Sequence, residues 1–206
     1  MDSVKLIWEG RLATSANPIK RLQVYLKSQE LKKDWDFLLE KIKTFFSKAE
    51  NIYDVPIRHQ KVVDSILIST YAPSKGYPSI EFIYNLVDQL KSYSARQSAK
   101  ETGYPMLNIS TSDSINYLTR VAIPVNKKLK SSGNISYKWM LGGGNILSTE
   151  VKGGFHSIDK AFKQLENYVN DHNRTAPAIP FQSLVTDRMQ ERDTSKWITR
   201  IYYPVI

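Results

Sequence analysis

Apolar residues recur along this chain at two different periods. Leu22, Tyr25 and Leu26, then Trp35, Leu38, Leu39, Ile42, Phe45 and Phe46, return every three or four positions, with Asp34 or Asp36 near the start and lysines later. Residues so spaced share one helix face, so this stretch predicts one long amphipathic helix. Beyond it the pattern shortens. Ile57 to Val63 and Ile66 to Tyr71 read as strands, and Gly76-Tyr77-Pro78-Ser79 as a bend. Ile80, Ile83, Tyr84, Val87 and Leu90 then form a helical stripe from about Ser79 to Ser94, with Ser79 as cap and Glu81 in an acidic first turn. Strands at Met106 to Ser110 and Tyr117 to Val125 follow. The same order then returns. Ile135 to Leu141 alternates as a strand, Gly142-Gly143-Gly144 turns, and Ile146 to Val151 extends again. After Gly153-Gly154 comes a helix carrying Ile158, Ala161, Phe162, Leu165, Tyr168 and Val169, for which Ser157 is the expected N-cap and Asp159 an acidic first-turn residue. Asn173 to Pro180 breaks it. Strands Phe181 to Thr186 and Trp197 to Val205 close the chain, joined by a loop, DRMQERDTS, whose charges suit solvent.

Residues 57 to 125 can be laid over residues 135 to 205 at an offset of 78 that drifts to 80. Ile57 then falls on Ile135, Gly76 on Gly154, Tyr77 on Phe155, Ser79 on Ser157 and Tyr84 on Phe162. The last strands match as well, Thr119-Arg120-Val121 over Thr199-Arg200-Ile201, with Pro-Val at each end. A half-buried helix on an antiparallel sheet cannot hide its apolar face alone, so two such copies side by side give one continuous core. The expected fold is α+β: two pseudo-symmetric strand-helix-strand-strand repeats, 57–125 and 135–205, within a domain spanning 55–206. Residues 1–54 are expected to be a helical extension or linker that packs on this domain or on a neighbour, with a partner-binding role as the rarer alternative.

Composition narrows the chemistry. The 206 residues contain no cysteine, which excludes disulfides, thiol nucleophiles and thiolate metal sites. The three histidines, His59, His156 and His172, lack metal-ligand spacing, so neither a metal nor a cofactor is expected. No run of about 18 apolar residues occurs, and the start MDSVKLIWEG lacks the form of a leader, so a cytoplasmic protein without a membrane segment is expected. The net charge of +9 is spread thinly; its densest cluster, Lys127, Lys128 and Lys130, lies in a Ser/Gly-rich connection, and direct nucleic-acid binding is not expected. His156, Ser157 and Asp159 stand too close together on a helix start to face one another as a catalytic triad. The Gly142-Gly143-Gly144 run lacks the following Lys-Ser/Thr of a phosphate loop.

The stretch IPFQSLVTDRMQERDTSKWITRIYYPV, Ile179 to Val205, resembles the closing segment of the GyrI-like, or AraC-type effector-binding, family. The features are a Pro before a strand, Thr-Asp after it, then Asp193-Thr194, Lys196-Trp197-Ile198-Thr199 and Tyr202-Tyr203-Pro204-Val205. With Gly153-Gly154-Phe155 and the duplicated order, the resemblance covers about residues 55–206. It implies two fused SHS2 units with a ligand cleft at their junction, in bacterial proteins that bind lipophilic, often cationic or aromatic compounds beside a transcription-factor domain. Other members of the family stand alone, as a gyrase inhibitor or as hydrolases of electrophilic small molecules. Residues Trp8 to Tyr53 resemble the linker that joins a START-like (SRPBCC) domain to a GyrI-like domain. One departure stands out. The family places a glutamate two residues before a tyrosine on the strand after the Pro, where this chain has Gln182 and Leu184. Glutamine hydrogen-bonds but carries no charge, which disfavours both a cationic ligand and hydrolysis and points to a neutral or polar-neutral guest, the alternative being a degenerate site with no ligand.

Aromatic side chains supply the candidate cleft walls, since their rings offer an apolar surface and, in Tyr and Trp, a polar tip. The candidates are Gln182, Leu184, Trp139, Tyr203, Trp197, Phe155, Tyr77, Tyr137, Tyr104 and Tyr117, and the favoured group is Tyr203 with Gln182, Leu184 and Trp139. The expected function is capture of a small organic ligand between the repeats. The alternatives are a protein-interaction module that contacts a transcription or gyrase-type partner through the amino-terminal helix or the exposed sheet and, last, a small hydrolase of electrophilic compounds.

Overall fold

The computed structural model describes residues 5–13, 15–63 and 65–206. The opening residues of the MDSV start, on which the leader reading partly rests, lie outside them. The chain divides into two compact units, residues up to Lys48 and Ala49–Ile206.

In the first unit, helix α1 runs Pro18–Phe46. Its start is set by Asn17 and Pro18 and not by Asp34 or Asp36, which lie mid-helix. The Asn17 side chain accepts hydrogen bonds from the amides of Ile19 and Lys20, and Pro18 brings a φ suited to the first turn. No residue of α1 is buried. Val24, Ser28, Leu31, Trp35, Leu39 and Ile42 form a half-covered stripe, while Leu22, Leu26, Phe37 and Phe45 stay exposed on other faces. Trp8 of the extended segment stacks on Trp35 at 5.6 Å, and a Cβ at Gly10 would collide with the same indole, 2.4 Å away.

The second unit begins with a short helix, α2 (Ala49–Tyr53), which sequence reading assigns to the extension. It belongs here because Tyr53 is buried, donating its hydroxyl to Asp171 Oδ2 at 2.9 Å and packing edge-on against Tyr168. The elements that follow are β1 (Arg58–Lys61), β2 (Ser65–Lys75), α3 (Ile80–Arg96), β3 (Met106–Thr111) and β4 (Asn116–Val125), then β5 (Ser136–Met140), β6 (Asn145–Lys152), α4 (Phe155–Asp171), β7 (Phe181–Leu184) and β8 (Ile198–Val205). Element order is thus two strands, a helix and two strands, twice over.

The eight strands form one curled antiparallel sheet in the order β1-β6-β8-β7-β3-β4-β2-β5. From either edge the order follows the same positions in each half, with one exchange: β1 pairs with β6 of the other half, and β5 pairs with β2. The halves also meet at the centre, through the short pairing of Met106 with Ser183 and Leu107 with Gln182. Side chains alternate across a strand. One face therefore carries Leu107, Val121, Ile123, Leu147, Leu184 and Ile201, buried beneath the helices in two clusters, one around α3 and one around α4. The stripe Ile83, Val87 and Leu90 of α3 is fully covered, as are Ile158, Ala161 and Leu165 of α4.

Helix α3 starts as its sequence predicts, with the Ser79 hydroxyl accepting from the Phe82 amide at 3.1 Å. Helix α4 does not. Its N-cap is Gly154, which has no side chain to offer, and Ser157 lies inside the first turn instead of capping it. Gly153, at φ +132°, lets the chain pass so close that a Cβ there would lie 2.6 Å from the Ser157 hydroxyl. Among the described residues no helix is long and apolar enough to cross a membrane.

Candidate ligand-binding site

Strand β7 directs Gln182 and Leu184 toward the helices and Phe181 and Ser183 away from them. Next to it β8 does the same with Thr199, Ile201 and Tyr203, and the register sets Gln182 opposite Ile201 and Leu184 opposite Thr199. Between this central strand pair and the start of α4 lies a cavity of about 310 Å³, lined by Tyr77, Tyr117, Phe155, Asp159, Phe162 and Gln182, among others. That volume is at the lower end for small-molecule sites, roughly 300 to 1,000 Å³.

Its aromatic wall is continuous. Tyr77 meets Tyr117 edge-on at 5.7 Å and Phe155 at 5.6 Å, and Phe155 meets Trp197 at 5.4 Å. These rings come from four places: the bend before α3, strand β4, the first turn of α4, and the end of the β7–β8 connection. Trp197 is almost wholly buried beneath Phe155 and donates its indole N–H to the Glu191 carbonyl, whereas Tyr77 and Phe155 remain open to solvent. Burial pushes the Tyr77 phenol up from its usual value, opposed by the nearby guanidinium of Arg188.

The polar floor is a network that sequence reading did not find. The loop joining β7 to β8 was expected to hold its charges in solvent, but Arg188 is 4% exposed. Its Nη2 donates to Gln182 Oε1 and to Thr199 Oγ1, both at 2.9 Å. Its guanidinium carbon sits 4.8 Å from the Trp197 ring centre and 5.8 Å from that of Phe155. The backbone amide of Arg188 donates to the Tyr84 hydroxyl at 2.7 Å, which ties the loop to α3. Thr186 completes the anchoring by accepting from the Ile198 amide. Burial lowers the Arg188 pKa from its ordinary value, partly offset by Tyr84 and Tyr77. No local pattern distinguishes Arg188 from the neighbouring Arg192; the preceding Thr-Asp and the following Trp197 were the available signals that this loop folds inward.

The structure gathers Gln182, Phe155, Tyr77 and Tyr117 at one cavity, with Trp197 directly behind it. It does not gather the group favoured from sequence. Leu184 is buried in the cluster under α3, and Tyr203 packs half-buried on the cluster under α4, beside Lys163 and Glu166. Trp139 is 60% exposed on the edge strand β5, where it borders a hollow of about 590 Å³ on the opposite face of the sheet. The exchange of β5 onto the far edge explains this, because it carries Trp139 away from the central strands. Tyr104 lies on that same opposite face with Arg200 and Tyr202, and Tyr137 sits under the Lys128 ammonium, 5.0 Å away. The opposite face is roomier, and its hollow of about 430 Å³ is lined by Arg120, half-buried and bonded to Asn108 and Ser110. Among the described residues no cluster of metal-ligating side chains occurs.

No protein-family model matches the chain, and no curated protein matches it in sequence. Solved structures do resemble it. EcmrR in its DNA complex superposes with a TM-score of 0.65 at 16% identity over 92% of this chain and 72% of that one. The EcmrR C-terminal domain alone gives 0.62 at 17% identity over 74% and 98%. A hydrolase from Listeria innocua gives 0.52 at 11% identity over 72% and 92%. Likeness at such identities is likeness of fold, and the fold of this chain is consistent with the GyrI-like effector-binding fold.

Proposed function

We propose that this chain is a small-molecule binding module whose ligand lies between Tyr77 and Phe155, over the Gln182 amide. The observation that carries this reading is the convergence at one cavity of an open aromatic wall and a buried polar network, the combination typical of sites that orient a small guest. The likeness of fold to the EcmrR C-terminal domain is compatible with it, and our reading takes the role to be regulatory. The junction between two halves suits the task because each contributes one wall. Catalysis is disfavoured. At the position where the resemblance would place an acid, Gln182 is occupied as an acceptor for Arg188 and offers neither a proton nor a base.

Thermal-shift measurements with a panel of fused-ring aromatic compounds test the reading. A stabilising response is expected in the native protein and in Trp139→Ala, and is expected to disappear in Phe155→Ala. A response that survives Phe155→Ala and vanishes in Trp139→Ala would move the site to the other face of the sheet.

A second reading, protein interaction through α1, is favoured by the exposure of Leu22, Leu26, Phe37 and Phe45 on a 29-residue helix without a buried residue. Crosslinking that captures α1 in no specific complex would remove it.

A further inference from the structure

Behind Gln182 of the cavity wall lies a buried cation, Arg188, bonded to the Gln182 side chain. Among the described residues no carboxylate lies within 4.0 Å of the Arg188 guanidinium, so this almost fully buried cation has only neutral partners. Nη2 is satisfied by Gln182 and Thr199, but Nη1 is buried without any hydrogen-bond partner. A buried charge left without an opposite charge is costly, and a folded protein rarely keeps one without use. Asp187, adjacent in sequence, does not compensate it in this way, since its carboxylate accepts from the Met189 amide. Asp159 is the one charged side chain among the cavity's lining residues, and it is exposed, where water and salt screen its charge.

A second, independent feature has the same sign. Helix α4 starts at the cavity with Phe155, its N-cap Gly154 supplies no side-chain acceptor, and its first turn contains no acid. The helix start therefore has neither a side-chain cap nor a first-turn acid, unlike that of α3, which has Ser79 and Glu81; Asp159, expected in the first turn, is the fifth helical residue.

Building on the binding role proposed above, we infer that the ligand is anionic: a carboxylate on an aromatic body, its ring against Tyr77 and Phe155 and its charge set toward the Gln182–Arg188 floor. Arg188 acts as a fixed counter-charge, and Gln182, held by its carbonyl oxygen, presents its amide N–H groups as donors. A glutamate at 182 would pair with Arg188 internally and remove this preference.

The test compares three probes of one shape at fixed ionic strength: 2-naphthoate, neutral 2-naphthamide and cationic 2-naphthylmethylammonium. Titration calorimetry of the full chain should show 2-naphthoate binding about tenfold or more tighter than the ammonium, the scale of one charge-assisted hydrogen bond. Gln182→Glu should lose about tenfold for 2-naphthoate relative to 2-naphthamide, with an unchanged circular dichroism spectrum showing that the variant is folded. A surface control, Lys127→Gln with Lys128→Gln, should leave all three unchanged. Equal or tighter binding of the ammonium by the native protein would overturn the anionic inference and leave the cavity reading standing. Loss of 2-naphthoate binding in the lysine variant would overturn it in the same way, as surface attraction. Failure of all three probes to bind would overturn both.

Discussion

The two halves of the sheet share an order of elements but differ in what joins their last two strands. In the first half, residues 112–115 make a tight turn in which the Asp113 carboxylate accepts from the Ile115 and Asn116 amides and drops to a pKa of about 2. In the second, residues 185–197 form a longer connection that is tied to Tyr84 of α3 and sets Arg188 against Gln182 and Trp197 against Phe155, behind the cavity wall. Equivalent strand positions differ accordingly. The Thr199 hydroxyl receives a hydrogen bond from Arg188, whereas the Thr119 hydroxyl is buried without a partner. One half is closed off; the other is furnished with a charge and an indole. A near-symmetric scaffold can thus hold an asymmetric site when a single loop differs.

Substitutions at matched positions sharpen this contrast, the largest effect being expected at Trp197. It is 1% exposed, so Trp197→Ala should destabilise the protein by about 3–5 kcal/mol, while Tyr117→Ala, at the matched position, should cost clearly less in the same denaturation experiment. Equal losses would mean that the long connection is no more integrated than the short turn.

Arg188 gives the next contrast. Arg188→Met exchanges an uncompensated buried cation for an apolar side chain of similar reach, and urea denaturation should show stability unchanged or raised by about 1–2 kcal/mol. A loss of about 3 kcal/mol or more would mark Arg188 as a structural pillar instead of a charge held for a ligand. Ser79→Ala should cost about 1 kcal/mol through loss of the α3 cap, as measured by thermal unfolding, whereas Ser157→Ala, no cap in this structure, should cost less.

The smallest effect concerns pH. His59 on β1 bonds the Tyr168 hydroxyl at 2.9 Å, and its pKa is lowered, first by burial and then by Arg174 and His172. The unfolded chain therefore binds more protons than the folded one below the ordinary histidine value of about 6.5, so stability falls as pH drops through that region. Amide protection factors at β1 and α4, corrected for the intrinsic exchange rate, should fall between pH 7.5 and 5.5 more than at α3, and His59→Gln should remove the difference. A uniform fall would place the titration elsewhere.

Much of this architecture is legible in the sequence because periodicity reports local geometry. The stripe of α3, its Ser79 cap and the alternating strands lie within a residue or two of expectation, except that β2 runs on from Tyr71 to Lys75. What escaped was set at long range. The start of α4 shifted because Gly153-Gly154 crosses closely over Ser157 and Thr194, so that a cap-like serine became a first-turn residue. Trp139 left the expected site because β5 pairs across to β2, and strand partners are not encoded within a strand. Arg188 was missed because a charged loop ordinarily faces water, and its burial depends on Trp197, Thr199 and Gln182 converging from elsewhere. Gln182 was legible as a candidate for the cavity wall, but its partner was not, and the proposed ligand preference changes with that partner.

The most direct measurement is a crystal structure of the protein soaked with 2-naphthoate. The account predicts the naphthyl ring between Tyr77 and Phe155, with the carboxylate toward Gln182 and the start of α4. Density for the compound on the opposite face, beside Trp139 and Phe181, with the cavity at Gln182 unchanged, would contradict it.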